Sequence, residues 1–253
     1  MFIAVGGALG HMGKAVTKLA EEKELEVLGV DIRADSSMQE HQIYSSFSQL
    51  PGKVDALIDF SSPDALSGIL SYAKCFHVPC VLCTTGYSEE DIHAIEAASG
   101  VIPVFRSANM SLGISVVSHL VQEAVRMLGS SFDIEIVETH HRRKKDAPSG
   151  TALMLRDAVC EAGGGTNGTV LGRQGNHSAR QPGEIGIHAV RGGTVTGTHD
   201  IRFLGEMEQV SISHIAEDRT VFASGAVQAA LFLKNKGAGL YNMDDLLSER
   251  LGY

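Results

Sequence analysis

The sequence has no tryptophan, only four cysteines, and no apolar run approaching the about 20 residues needed to cross a bilayer as a helix. A membrane-spanning reading is therefore set aside. Cys75, Cys80, Cys83 and Cys160 follow no zinc-binding spacing, and Met1 leads straight into an apolar run with no basic region before it. The expectation is a cytoplasmic protein with reduced thiols and no metal site. Thirty acidic residues against 21 basic ones give a net charge of -9, which argues against a nucleic-acid surface beyond one local loop. No internal repeat at solenoid periods is present.

That loop is the most informative stretch of the chain. Residues 138–151 gather His140 and His141, the cations Arg142, Arg143, Lys144 and Lys145, and the helix-opening residues Ser149, Gly150 and Thr151. Before it, Phe132 to Val137 alternates apolar and polar residues like a strand, and after it a helical pattern runs through Leu153, Leu155 and Ala158. The cations thus sit on a strand-to-helix loop. Neighbouring strand residues point to opposite sides, so the two histidines do not share a metal in a simple geometry. A solvated basic loop touching phosphate or nucleic acid is one reading. The helix start, whose N–H groups favour an anion, and the paired imidazoles favour a small dianionic substrate.

At the other end, the apolar run Met1 to Val5 leads into glycines at 6, 7, 10 and 13, then a helical pattern from Lys14 to Ala20. Strand, glycine turn and helix form a dinucleotide-binding start, although the spacing is GxxGxxG, with Leu9 replacing the usual middle glycine. A second apolar segment, Leu25 to Val30, ends at Asp31, about where an acidic residue meets the adenosine ribose. Further apolar segments at 54–59, 78–82 and 101–105 end in small polar residues, and helical patterns at 63–75, 88–98 and 110–128 follow them. Such alternation predicts a parallel sheet covered on both faces, with a cofactor crevice at the strand ends.

After Leu128 the pattern changes. The loop region and its helix come first, then a glycine-rich stretch from 163 to 183 read as a loop or lid, then strands at 185–190, 195–203 and 209–215. A helical pattern at 222–233 and a short tail close the chain. The expected fold is α/β, a Rossmann-type parallel-sheet domain plus a smaller α+β domain with a mixed or antiparallel sheet.

Together, Gly7-xx-Gly10-x-Met12-Gly13, Asp59-Phe60-Ser61-x-Pro63, Thr84-Thr85-Gly86, Ala108-Asn109-Met110-Ser111-x-Gly113 and the segment from Glu138 to Thr151 closely resemble the 4-hydroxy-tetrahydrodipicolinate reductase (dihydrodipicolinate reductase) family of lysine and diaminopimelate biosynthesis. The resemblance spans nearly the whole chain, and the His-His to Ser-Gly-Thr segment is its most specific part. It implies a dinucleotide-binding domain from 1–111 and 220–253, a substrate-binding and oligomerisation domain from 112–219, and a homotetramer. It implies cofactor contacts at Gly7, Ala8, Leu9, Gly10, His11, Met12, Asp31, Cys83, Thr84, Thr85, Ser107, Ala108, Asn109 and Met110. It assigns acid–base roles to His140 and Lys144, and contacts to a small cyclic dicarboxylate substrate to His141, Gly150 and Thr151.

Three positions depart from the common pattern: His11 stands where many members have Arg, Ile32 where some have a basic residue, and Cys83 replaces a common Gly. Asp31 suits the free ribose hydroxyls of NADH and repels the extra phosphate of NADPH, whereas Arg33 and His11 partly offset that repulsion. The expectation is NADH preferred, with NADPH still used. Two other readings keep the dinucleotide: a dehydrogenase of another imino or keto dicarboxylate, and a non-catalytic dinucleotide sensor. A sensor has no use for two histidines and a lysine beside a carboxylate cradle.

Overall fold

The structure is a computed structural model that describes residues 1–252; Tyr253, the last residue of the expected cofactor domain, lies outside them. The chain divides into two compact units, Met1–Leu112 together with the chain from Arg219 onward, and Gly113–Asp218.

The first unit opens with β1 (Phe2–Gly6), α1 (His11–Glu21), β2 (Glu26–Val30), the two-residue β3 (Ile43–Tyr44) and β4 (Ala56–Asp59). α2 (Leu66–Phe76), β5 (Cys80–Leu82), α3 (Glu89–Ser99) and β6 (Pro103–Arg106) continue the alternation. The strands read as continuous apolar runs because both faces of this sheet are covered: Ile3, Ala4, Val5, Leu57, Ile58 and Leu82 have no exposed surface. Alternate residues feed two cores, Ala4, Leu57 and Leu82 on one side, Ile3, Val5, Ile58 and Val81 on the other.

The second unit holds most of α4 (Leu112–Leu128), then β7 (Asp133–His140), α5 (Gly150–Glu161), β8 (Thr169–Leu171), β9 (Ile185–Arg191), β10 (Gly197–Leu204) and β11 (Gln209–Ala216). Its five-stranded sheet has the order β11-β10-β7-β9-β8 and is mixed: β10 is antiparallel to β7 and β11, while β7, β9 and β8 run parallel. Ile134, Ile136, Ile187, Ile201 and Phe203 face Val117, Val121 and Val125 of α4 and Leu155 and Val159 of α5. The opposite face carries exposed Val190 and Ile215.

The chain then returns to the first unit with α6 (Thr220–Leu233), β12 (Gly239–Tyr241) and α7 (Met243–Leu251). β12 extends the parallel sheet, giving the order β12-β6-β5-β4-β1-β2-β3. Both expected sheets are present. The 163–183 stretch is not loop throughout, because β8 lies in it and pairs with β9. Beyond β8, Arg173 and Arg180 bind Glu135 of β7, tying that stretch to the sheet. No described helix is long and apolar enough to cross a membrane.

Candidate functional site

In the first unit, Gly7 leaves β1 with φ +72, and a Cβ there would meet the Phe60 carbonyl oxygen at 2.7 Å. Gly13 is as constrained, since its Cβ would fall 2.1 Å from the Gly7 carbonyl oxygen. One glycine makes the turn and the other lets α1 approach it. Gly10 is the N-cap of α1 and no side chain caps that end, so Gly10, His11 and Met12 lie at an uncapped helix start suited to a pyrophosphate. Ala8 is buried, and the Leu9 N–H donates to Asp31.

Asp31, just past β2, is buried and already fully engaged. One carboxylate oxygen accepts the Arg33 backbone N–H and Nε; the other accepts the Leu9 N–H and Arg33 Nη2 at 2.8 Å. The Arg33 guanidinium is the main cause that holds the Asp31 carboxyl at about 2, against the opposing effect of burial. Contact with a ribose hydroxyl therefore requires Arg33 to swing aside. Beside this pair lies a cleft of about 920 Å³ bordered by Gly7, Gly10, Ile32, Ser45 to Ser48, Ser61 and one side of α2 from Ser67 to Phe76. Ser45 to Ser48 carry no motif, and the sequence reading missed them.

The other expected cofactor residues sit at the ends of β5 and β6. Thr84 donates its hydroxyl proton to Asp59 at 2.7 Å, and the Asp59 carboxyl is raised by burial despite bonds from Ser61 and Thr84. Burial, reinforced by Asp59, pushes the Cys83 thiol up, so it stays protonated. Thr85 and Ala108 are exposed, and the Ser107 hydroxyl donates to the Asn109 carbonyl. Met110 belongs to the core, where it meets α6 at Gly225.

In the second unit β7 runs three residues beyond the expected strand end, so His140 is its last residue rather than part of the loop. Ile134, Ile136, Glu138 and His140 share the face covered by the helices. His140 is consequently buried, with Nδ1 2.6 Å from Glu138. His199 of β10 stacks edge-on against it at 5.2 Å and lies 3.1 Å from the Ser149 hydroxyl through Nε2. Burial, reinforced by the neighbouring His140, lowers His199 to about 4, so it is neutral near pH 7.

Of the four loop cations only Lys144 is half-buried; Arg142, Arg143 and Lys145 are exposed. The Lys144 N–H donates to the His141 carbonyl, and its ammonium lies 2.9 Å from Asp146. After a cis Ala147–Pro148 bond, Ser149 caps α5 by accepting the Ala152 N–H, which puts Gly150 and Thr151 in the positive first turn. His140, His141, Lys144, Gly150 and Thr151 are thus ordered along one turn of chain. Glu138, Arg191 and His199 also build this region and were missed as site residues. Glu138 had a signal, two places before His140 on one strand face; Arg191 and His199 come from later strands and had none. Among the described residues no group of three or more His, Cys, Asp or Glu could hold a metal ion.

Comparison with known proteins gives this arrangement a family. The profile described as "Dihydrodipicolinate reductase, N-terminus" matches residues 1–110, and "Dihydrodipicolinate reductase, C-terminus" matches 113–247. A 4-hydroxy-tetrahydrodipicolinate reductase from Caldanaerobacter subterraneus subsp. tengcongensis is 47% identical over 98% of both chains. One from Clostridium tetani is 42% identical over 97% of this chain and 96% of its own. A solved structure, the dipicolinate-bound dihydrodipicolinate reductase from Paenisporosarcina sp. TG-14, has the same fold at TM-score 0.77 and 22% identity, covering 96% of this chain and 97% of that one.

Proposed function

The chain belongs to the dihydrodipicolinate reductase family, and on that premise we propose how its residues carry out the family's reaction. The protein is an NAD(P)H-dependent oxidoreductase that reduces 4-hydroxy-tetrahydrodipicolinate on the route to diaminopimelate and lysine. The first unit binds the dinucleotide and the second binds the substrate. The glycine turn and uncapped helix start fit a pyrophosphate, and the bound cofactor supplies the hydride.

Loss of the substrate's hydroxyl as water leaves a conjugated imine. Hydride addition then makes an electron-rich enamine that needs a proton on the neighbouring carbon. Lys144, cationic and half-buried, attracts the dicarboxylate and donates that proton, with His140 assisting. The first turn of α5 at Gly150 and Thr151, together with His141, holds a substrate carboxylate and so orients the ring. The observation that carries this reading is the descent from buried His140 through half-buried Lys144 to a capped helix start within a dozen residues.

NADH is the preferred cofactor and NADPH is also used. The buried, ionised Asp31 favours free ribose hydroxyls, and Arg33, seated on it, is the cation within reach of an added phosphate. The enzyme works in the cytoplasm, in keeping with four free thiols, as a homotetramer joined through the face of the mixed sheet that bears exposed Val190 and Ile215. Sedimentation of the purified protein checks the tetramer. The test of the activity is substrate-dependent loss of reduced-nicotinamide absorbance with freshly made 4-hydroxy-tetrahydrodipicolinate. No oxidation with either cofactor would overturn it.

A further inference from the structure

Glu138 has no exposed surface, and it continues, toward His140, His199 and Arg191, a sheet face that is apolar at Ile134, Ile136, Ile201 and Phe203. A buried ion pair adds little net stability over an apolar residue of similar size, so stability alone does not account for a carboxylate here. Its bonds are complete. Oε1 accepts the Ser149 backbone N–H at 3.0 Å and Arg191 Nη2 at 2.6 Å; Oε2 accepts Arg191 Nη1 at 2.7 Å and His140 Nδ1 at 2.6 Å. Burial works to raise the Glu138 carboxyl, but the bonds from Arg191, His140 and Ser149 outweigh it and hold it below the ordinary carboxylate value.

A carboxylate only accepts hydrogen bonds, so the nitrogen facing it must carry the proton. We propose that Glu138, clamped by the Arg191 fork, is a positioning residue that fixes the proton of His140 on Nδ1 and so makes Nε2 the nitrogen that exchanges protons in the reaction. In each exchange the proton enters or leaves at Nε2 while Nδ1–H stays on Glu138. His199, opposite Glu138 in the strand register, limits the tilt of the ring. Arg191 serves a second purpose by donating to the Asp146 carbonyl, which couples the clamp to the loop that carries Lys144.

The inference rests on His140 taking part in proton transfer, and its test separates the two claims. In protein labelled with nitrogen-15 at histidine, free of substrate and cofactor, neutral His140 should show a protonated Nδ1 and a bare Nε2. Glu138→Gln should mix or reverse that assignment. It should also lower kcat by about 100-fold or more, the scale of general acid–base catalysis, with the KM for NADH within about twofold of wild type. In a His140→Asn background the same change should add no more than about twofold, because its effect passes through the ring. A bare Nδ1 in the wild-type protein overturns the proposal, and that spectrum decides the matter even if Glu138→Gln fails to fold. An undiminished kcat, or an equal loss in the His140→Asn background, overturns it too. Failure of the activity reading shows instead as a wild-type protein that oxidises no NADH with substrate, whatever the nitrogen spectrum.

Discussion

The ring of His140 occupies space that exists because residue 197 is glycine: a Cβ at Gly197 would lie 3.0 Å from Nε2. The backbone of Gly197 is not in the left-handed region, so alanine is tolerated conformationally and acts only by crowding the ring. Gly197→Ala should leave the fold intact by circular dichroism. The ring must shift by a few tenths of an ångström, and kcat should fall about tenfold, given that misplacement by about 1 Å costs about 100-fold. A wild-type kcat would mean that the ring position does not govern turnover.

Lys144→Ala removes the proposed proton donor and one substrate charge. Turnover should fall by about 100- to 10,000-fold, while NADH binding measured by calorimetry stays close to wild type. Arg143→Ala, at an exposed neighbour, should change kcat/KM by less than about tenfold and lose that effect in high salt. A Lys144→Ala enzyme with normal turnover removes the donor assignment.

Thr151→Val keeps the shape of the first turn of α5 but deletes its hydroxyl. The expected result is a higher KM for the dicarboxylate with kcat little changed, on the scale of a charged hydrogen bond, roughly 1.5–3 kcal/mol. An unchanged KM would assign the hydroxyl to local capping.

The proposed cofactor preference turns on the Asp31–Arg33 pair. The ratio of kcat/KM for NADH to that for NADPH should exceed one at low and high salt, and should rise with salt as screening weakens attraction of Arg33 for phosphate. Arg33→Ala should cost NADPH roughly tenfold, the loss of one charged hydrogen bond, and NADH much less. A clear NADPH preference at both salts means that Arg33 or His11 outweighs Asp31.

His199 gives a pH signature of stability. Its folded value of about 4 lies below the ordinary 6.5, so it takes up a proton on unfolding between those limits. The unfolded chain then binds more protons, and stability rises with pH across that window. Acidification from pH 6.5 to 4 should cost on the order of 3 kcal/mol from this group alone, at about 1.4 kcal/mol per pH unit. Urea unfolding of wild type and His199→Gln at several pH values checks this; the variant should have the shallower slope.

Much of this architecture was legible because its strongest signals are local. The run from Met1 through Gly13 into α1, and the small polar residues after β4, β5 and β6, lie within single windows of sequence. β3, β8 and β12 are only two or three residues long and, unlike the equally short β5 within the apolar run 78–82, stand in no longer apolar segment; a glycine-rich setting also hid β8. Asp31 stood out at its strand end, but Arg33's hold on both oxygens is a side-chain conformation that spacing does not encode. The partners of Glu138 and His140 come from Arg191 and His199, about 50 residues downstream, brought in by pairing of β9 and β10 with β7.

The route of the chain orders its own synthesis. Ile3, Val5, Ile58, Val81 and Phe105 form the sheet side of a core whose helical side is shared by α1, α6 and α7, and β6 gains its outer neighbour only at β12. Both arrive after the whole of Gly113–Asp218 has been made. A ribosome therefore releases the contiguous second unit able to close on itself while the first, covered on this side by α1 alone, still shows part of an apolar sheet face and an unpaired edge to the cell. Polypeptides that stop short of Thr220 should bind chaperones through that face, and the residues from Thr220 onward, which hold none of the proposed reacting groups, decide whether the first unit is ever completed.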